Sequence, residues 1–154
     1  MLKYESSLVT FTEIPDEVTL CINITGCPCH CENCFEPWLQ EDKGENLTTS
    51  VLDDLITQHN GITCVCFMGG DRSHLDILQL ARHIKQNYSR LKVAMYSGFS
   101  LIDINLSLAL DYYKIGPFMP KYGPLNHETT NQRLYKIANS QMTDITYKFQ
   151  KERK

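Results

Sequence analysis

Four of the seven cysteines fall within eight residues, at Cys27, Cys29, Cys31 and Cys34, and this cluster constrains the fold of the 154-residue chain most. Proline, histidine, glutamate and asparagine stand between and beside these cysteines, so the segment cannot be a buried element. Clustered thiols in a chain without signal-peptide features are more typical of metal or redox chemistry than of a disulfide framework. The sequence therefore predicts a metal site on a loop.

Strand and helix patterns alternate along the chain on both sides of this loop. Period-two alternation and short apolar runs predict strands, whereas apolar residues spaced three or four apart predict helices. The expected strands are Leu8–Thr12, Val18–Ile24, Ile62–Met68, Leu91–Tyr96, Tyr112–Ile115 and Asp144–Phe149. The expected helices are Thr49–His59, Leu75–Tyr88 and a segment from Ser100 through Leu110.

Strands separated by single helices predict βαβ units, and hence an α/β fold with a mostly parallel sheet. A complete eight-fold barrel needs about 250 residues, so this chain can supply about half of one. We expect a partial, open (β/α) barrel formed by one domain over residues 1–154. Its core would span about 8–118, followed by a closing or partner-binding segment at about 119–154.

Charge and hydropathy exclude several functional classes. The formal net charge is −3, which gives no strong field for nucleic acid or an anionic membrane surface, so we expect neither as a partner. No apolar run approaches the roughly 20 residues that span a bilayer, and the first residues lack a signal-peptide pattern. These observations favour a cytoplasmic protein.

Zinc is one reading of the cysteine cluster. A structural zinc site usually has two separated Cys-x₂-Cys pairs. The distant candidates, Cys64 and Cys66, lie in an apolar strand pattern and are better read as small buried hydrophobic residues. A compact zinc site within the loop, with or without His30, would be cramped. A non-catalytic zinc-binding interaction module stays open as an alternative from a different functional class.

The spacing Cys27-x₃-Cys31-x₂-Cys34 resembles the three-cysteine motif of radical S-adenosylmethionine enzymes. The resemblance implies a [4Fe–4S] cluster with three thiolate ligands, whose fourth iron is chelated by S-adenosyl-L-methionine. It also implies that the partial barrel is of the radical SAM type. Cys29, which lies between the motif positions, is read as a bystander.

The same resemblance implies contacts to S-adenosylmethionine at three further places. Gly69-Gly70-Asp71 follows the predicted strand Ile62–Met68 and resembles the glycine-glycine-acidic motif of the family, with Asp71 where glutamate is commoner. The implied cofactor-binding residues are Asn33, Cys34, Phe35, Gly69, Gly70, Asp71, Tyr96 and Ser97. Because loops after parallel strands gather at one sheet edge, we expect these segments to meet there.

The carboxyl-terminal third resembles anaerobic ribonucleoside-triphosphate reductase activating proteins. The resemblance rests on Lys114–Phe118, Gly123–Leu125 and Thr129–Tyr135, together with the cysteine loop. It implies a glycyl-radical activase, with the anaerobic reductase as its protein substrate and a flavodoxin-like protein as its electron donor. The alternatives within enzymes are an activase of another glycyl-radical enzyme and a radical SAM enzyme with a small-molecule substrate.

Overall fold

The structure is a computed structural model that describes residues 1–150. Its strands are β1 (Lys3–Thr10), β2 (Thr19–Ile24), β3 (Glu45–Asn46), β4 (Cys64–Met68), β5 (Lys92–Tyr96), β6 (Tyr112–Ile115), β7 (Arg133–Ala138) and β8 (Gln141–Asp144). The helices are α1 (Thr49–Thr57), α2 (His74–Asn87) and α3 (Ile104–Ser107). Two short 3₁₀ helices cover Pro37–Gln40 and Thr146–Phe149.

All eight strands form one sheet in the order β3-β1-β2-β4-β5-β6-β7-β8. The four central strands β2, β4, β5 and β6 are parallel, and the strands on either side pair antiparallel. The predicted α/β class is confirmed, but the sheet is mixed and not mostly parallel. The antiparallel strands β7 and β8 come from the predicted closing segment, whose last four positions, 151–154, lie outside the described residues.

Alternate side chains of the central strands point to opposite faces of the sheet. On the helix face, Leu20, Ile22, Val65, Phe67 and Val93 pack against buried residues of α1 and α2. On the other face, which we call the cavity face, the same strands carry a second buried cluster containing Cys21, Cys64, Cys66, Ala94 and Tyr112. Both faces of the central strands are therefore buried, which explains their continuous apolar runs.

The α-helices cover one face of the central strands. Consecutive parallel strands lie side by side, and the buried hydrophobic residues of all three α-helices belong to the helix-face cluster. A doubly wound sheet would instead place helices on both faces. Within the described residues, the edge strands β3 and β8 do not pair with each other, so the sheet is open. None of the described helices is both long and apolar enough to cross a membrane.

Three predicted elements were wrong in their bounds or type. The first strand runs over Lys3–Thr10 and not Leu8–Thr12. Its start was missed because exposed Glu5 and Ser6 interrupt the alternation of apolar and polar residues. The helix expected from Ser100 covers only Ile104–Ser107. It begins there because the Asp103 side chain caps it by accepting from Leu106 N at 3.2 Å.

The third wrongly predicted element lies in the carboxyl-terminal tail. The strand predicted at Asp144–Phe149 is a 3₁₀ helix over Thr146–Phe149. Asp144 Oδ1 accepts hydrogen bonds from Thr146 N at 2.9 Å and from Thr146 Oγ1 at 2.6 Å. This side-chain turn ends β8, and Thr146 Oγ1 then accepts a hydrogen bond from Leu134 N of β7 at 2.9 Å.

We predict that Phe67→Ala destabilises the fold by about 3–5 kcal/mol, because it removes a fully buried ring between the sheet and the helices. Denaturant unfolding under reducing conditions measures the change. Phe11→Ala is the matched control, since Phe11 is 72% exposed and its loss should cost less than about 1 kcal/mol. Equal effects of the two substitutions would contradict the assignment of the core.

Candidate functional site

A cavity of about 980 Å³ opens at the carboxyl ends of the parallel strands. All four loop cysteines line it, with Gly69, Asp71, Tyr96, Ser97 and Gly98 from the ends of β4 and β5. The sequence predicted that the cysteine loop, the glycine pair and the end of β5 would meet at one sheet edge, and the structure places them together there. The cavity is within the size range of small-molecule and cofactor sites.

The cysteine loop makes sharp turns that direct its thiols toward the cavity. Gly26, His30 and Asn33 have positive φ angles of 74°, 45° and 53°. Asparagine adopts this left-handed conformation more readily than most residues, which fits Asn33 directly before Cys34. Cys27 N donates to Leu39 O at 3.0 Å, which holds the loop to the neighbouring 3₁₀ helix.

The remaining three cysteines lie in the core. Cys21, Cys64 and Cys66 are buried on the cavity face and do not line the cavity. Burial raises the pKa of the Cys64 and Cys66 thiols, so both are neutral at ordinary pH. Their reading as small buried hydrophobic residues agrees with these positions.

The two glycines after β4 occupy different environments. Both have φ near the left-handed range, at 98° for Gly69 and 100° for Gly70. Gly69 lines the cavity, whereas a Cβ at Gly70 would lie 2.7 Å from Cδ1 of Ile77 on α2. Gly70 therefore serves close packing of α2 on the sheet, and the predicted backbone contact to a ligand falls on Gly69.

Asp71 and Ser97 bind each other and do not leave free polar atoms toward the cavity. Ser97 Oγ donates to Asp71 Oδ1 at 2.7 Å, and Gly98 N donates to Asp71 Oδ2 at 2.8 Å. His74 lies 2.7 Å from Asp71 and 3.0 Å from Asp103. Burial lowers the pKa of His74, but its hydrogen bonds to the two carboxylates outweigh this and raise the pKa overall.

Aromatic side chains form the rim and one wall. Phe35 is 71% exposed, and its ring centroid lies 4.9 Å from that of Phe118. Tyr96 OH donates to the backbone oxygen of Glu13, which fixes its ring in the wall. Of the two predicted aromatic contacts, only Phe35 presents an open face at the rim.

Lys114 is a cavity-lining residue that sequence reasoning did not assign to the site. It is buried, and its Nζ donates to Gly116 O at 2.8 Å and lies 5.6 Å from the centroid of the Tyr96 ring. Burial lowers its pKa to about 8, although nearby thiols and Asp71 act in the opposite direction. The sequence did carry a signal, because a lysine two residues after Tyr112 in a short strand shares the face of that tyrosine, and a buried central strand leaves neither face exposed.

Carboxylates and the tail complete the cavity. Glu13 and Glu36 both line it, and burial is the largest cause that raises the pKa of each. On the far side, Lys148 Nζ lies 2.6 Å from Asp16 Oδ2, which joins the 3₁₀ helix Thr146–Phe149 to the β1–β2 connection. We call this contact and the segments that it joins the closing wall.

The loop thiols fit an iron–sulfur cluster. Cluster ligands are cysteine thiolates, and here several part-exposed thiols face one open space large enough for a cluster and a small molecule. Within residues 1–150, no three His, Cys, Asp or Glu side chains converge as ligands of a single metal ion.

The chain was compared with known families and proteins. A sequence profile for the family described as "4Fe-4S single cluster domain" matches residues 17–134, more than two thirds of the chain. The matched range contains the cysteine loop and all four parallel strands. No curated protein and no solved structure matches the chain significantly.

We predict that Cys27→Ala, Cys31→Ala and Cys34→Ala each lose most bound iron and sulfide after anaerobic reconstitution, because each removes a thiol that faces the cavity. Cys66→Ala is the matched control, since its thiol is buried away from the cavity, and it should keep its iron. Iron and sulfide analysis with absorption spectra measures the outcome. Full cluster assembly in Cys31→Ala would refute the assignment of these ligands.

A second prediction concerns the charge of Lys114. The folded pKa of about 8 lies below the ordinary 10.5, so between these values the unfolded chain binds more protons and stability rises with pH. Lys114→Met removes this dependence. At pH 7 the wild type carries the cost of this buried charge, so Lys114→Met should be the more stable protein. The difference in free energy of unfolding between the two should shrink by about 2 kcal/mol between about pH 7 and about pH 9.5.

Denaturant unfolding of the cluster-free protein at each pH measures this change. Lys136→Met removes an exposed ammonium from β7 and controls for the loss of one positive charge. If the difference in free energy of unfolding between Lys114→Met and the wild type stays constant with pH, then the pKa of Lys114 is not lowered in the folded protein.

Proposed function

The chain belongs to the family of 4Fe-4S single cluster domains, and on that basis we propose that it is a radical S-adenosylmethionine enzyme that forms a glycyl radical on an anaerobic ribonucleoside-triphosphate reductase. The observation that carries the proposal is the arrangement of the loop thiols. All four loop cysteines line the cavity, but the Cys29 thiol donates to Asp71 at 3.5 Å, which leaves Cys27, Cys31 and Cys34 for the cluster. Three available thiolates would leave one iron open, as a catalytic metal site requires and a structural site avoids.

When bound, the cluster and S-adenosylmethionine would supply the electron transfer that breaks the sulfonium–carbon bond and the radical that removes hydrogen from a glycine Cα. The chain's own residues bind and orient. Lys114 on the cavity wall provides a buried positive charge for the carboxylate of a ligand. Gly69 lets the backbone approach that ligand closely. Glu13 and Glu36 offer acceptors to amino or hydroxyl groups elsewhere in the cavity.

The open form of the cavity favours a macromolecular substrate. A site that holds a small substrate for radical chemistry must exclude water on all sides. Here Phe11 and Phe35 are both more than two thirds exposed, and with Phe118 they line the open side of the cavity. Exposed aromatic side chains are typical of protein interfaces. A loop that carries glycine could enter between them, since glycine has no side chain to hold its Cα away from the site.

The branch within the radical enzymes rests on the carboxyl-terminal resemblance. The segment Lys114–Phe118 contributes Lys114, Gly116 and Phe118 to the cavity, and Gln132 from Thr129–Tyr135 also lines it. Part of each segment named here therefore lies at the site. We further propose a flavodoxin-like protein as the electron donor.

An electron carrier is the second candidate, because a fourth thiol, Cys29, lies in the same cavity. A cluster with four thiolate ligands has no open iron and would serve electron transfer alone. The hydrogen bond from Cys29 to Asp71 favours three ligands over four. Cleavage of S-adenosylmethionine separates the two candidates directly.

The test begins with anaerobic reconstitution and reduction of the cluster. We expect the loaded protein to cleave S-adenosylmethionine to methionine and 5′-deoxyadenosine. With the candidate reductase present, electron paramagnetic resonance should show a glycyl radical doublet on the reductase. The doublet should collapse when the reductase carries glycine deuterated at Cα. Cys31→Ala is the control without an intact ligand set.

Each negative result has a distinct meaning. Loaded protein that never cleaves S-adenosylmethionine would overturn the radical enzyme assignment and leave the electron carrier. Cleavage without a radical on any cognate reductase would overturn the branch assignment alone. A purified protein that binds zinc and no iron or sulfide would favour the interaction module.

A further inference from the structure

The carboxylate of Asp71 has four hydrogen-bonding partners. Its side chain is 1% exposed. Oδ1 accepts from Ser97 Oγ and pairs with His74 Nε2, each at 2.7 Å. Oδ2 accepts from Gly98 N at 2.8 Å and from the Cys29 thiol at 3.5 Å. Both oxygens are therefore engaged by the protein itself.

The bond from Cys29 differs from the others because its donor belongs to the cysteine loop. The other hydrogen bonds of the loop hold its own shape. Cys34 N donates to Cys31 O at 3.2 Å, Cys27 N donates to Leu39 O, and His30 bonds Gln40 at 2.7 Å. Those contacts stay within the loop and the adjacent 3₁₀ helix, whereas the Cys29 bond reaches the end of the central sheet.

Gly98 leaves the space in which the Cys29 side chain lies. A Cβ added at position 98 would come 2.5 Å from Cys29 Sγ and 3.1 Å from Cys29 Cβ. The backbone of Gly98 is not in the left-handed region, so another residue could adopt its conformation. The requirement for glycine at position 98 is therefore steric and comes from Cys29.

We propose that Cys29 is a positioning residue, which anchors the cluster-binding loop to Asp71 so that Cys27, Cys31 and Cys34 face the cavity. Because Gly98 has no side chain, it leaves the space that the Cys29 side chain occupies. The inference rests on the proposed assignment of these three cysteines as cluster ligands. It replaces the reading of Cys29 as a bystander and gives Asp71 a role through the loop.

The first test compares Cys29→Ser with Cys29→Ala. A serine hydroxyl can donate to Asp71, whereas alanine cannot. Each protein is reconstituted without oxygen, and loss of cluster absorbance is followed in excess iron chelator. We expect Cys29→Ser to lose its cluster at nearly the wild-type rate and Cys29→Ala about tenfold faster, because a hydrogen bond to a carboxylate is lost. The electron paramagnetic resonance spectrum of the reduced cluster should be unchanged in Cys29→Ser.

Two outcomes would overturn the proposal. If Cys29→Ser and Cys29→Ala both lose iron as completely as Cys31→Ala, then Cys29 is a ligand. If Cys29→Ala keeps its cluster as long as the wild type, then Cys29 is a bystander. Neither readout involves S-adenosylmethionine or a partner protein, so both remain valid if the proposed radical function fails.

A double-mutant cycle tests whether Gly98 is needed to make room for the Cys29 side chain. Gly98→Ala should speed cluster loss in the wild type, because its methyl group displaces the Cys29 side chain. In the Cys29→Ala background the 2.5 Å clash with sulfur is absent and only the 3.1 Å approach to Cβ remains, so adding Gly98→Ala should cause much less further loss than in the wild type. Far-ultraviolet circular dichroism checks that all three variants are folded. Additive effects of the two substitutions would overturn the role given to Gly98.

Discussion

The two-sided burial of the central parallel strands is the constraint on which the rest of the structure depends. Each residue in β4, for example, lies on either the helix face or the cavity face of the sheet, and the two alternate along the strand. Val65 and Phe67 pack under α1 and α2, whereas Cys64, Cys66 and Met68 face the other side. A shift by one residue would exchange these sets, so the register is strongly specified. The carboxyl ends of the strands, and with them the site, are fixed by the same register.

This constraint explains which parts of the fold could be predicted from the sequence. The central strands and the first two helices have strong apolar periodicity, and they were found within two residues of their predicted bounds. The β7–β8 hairpin was missed because β8 is exposed throughout and has no apolar alternation. Its turn is Asn139-Ser140, with φ angles of 52° and 63°. That turn usually carries glycine at its second position, so the common hairpin signal was absent.

The site shows the same division between local and long-range information. The cysteine spacing and the position of each segment after a predicted strand are local features, and together with the common edge of parallel strands they were sufficient to predict which segments would meet. The contact of Cys29 with Asp71 joins residues 42 positions apart, and no pattern in either segment indicates it. Lys114 was an intermediate case, because its burial follows from strand alternation but its neighbours follow from the assembled sheet. The roles of the cavity-lining residues toward a cofactor stay predictions.

The closing wall has a consequence for the order in which the protein assembles. Lys148 and Asp16 are 132 residues apart, and they meet only after the intervening strands have formed one sheet. Contacts of such long sequence separation form late in folding, since local helices and neighbouring strand pairs need much smaller loops to close. The backbone of the cysteine loop is held by contacts to residues just beyond it, and Cys29 reaches Asp71 only 42 positions away. The closing wall, which joins residues 132 positions apart, is therefore the last side of the thiols' chamber to be completed.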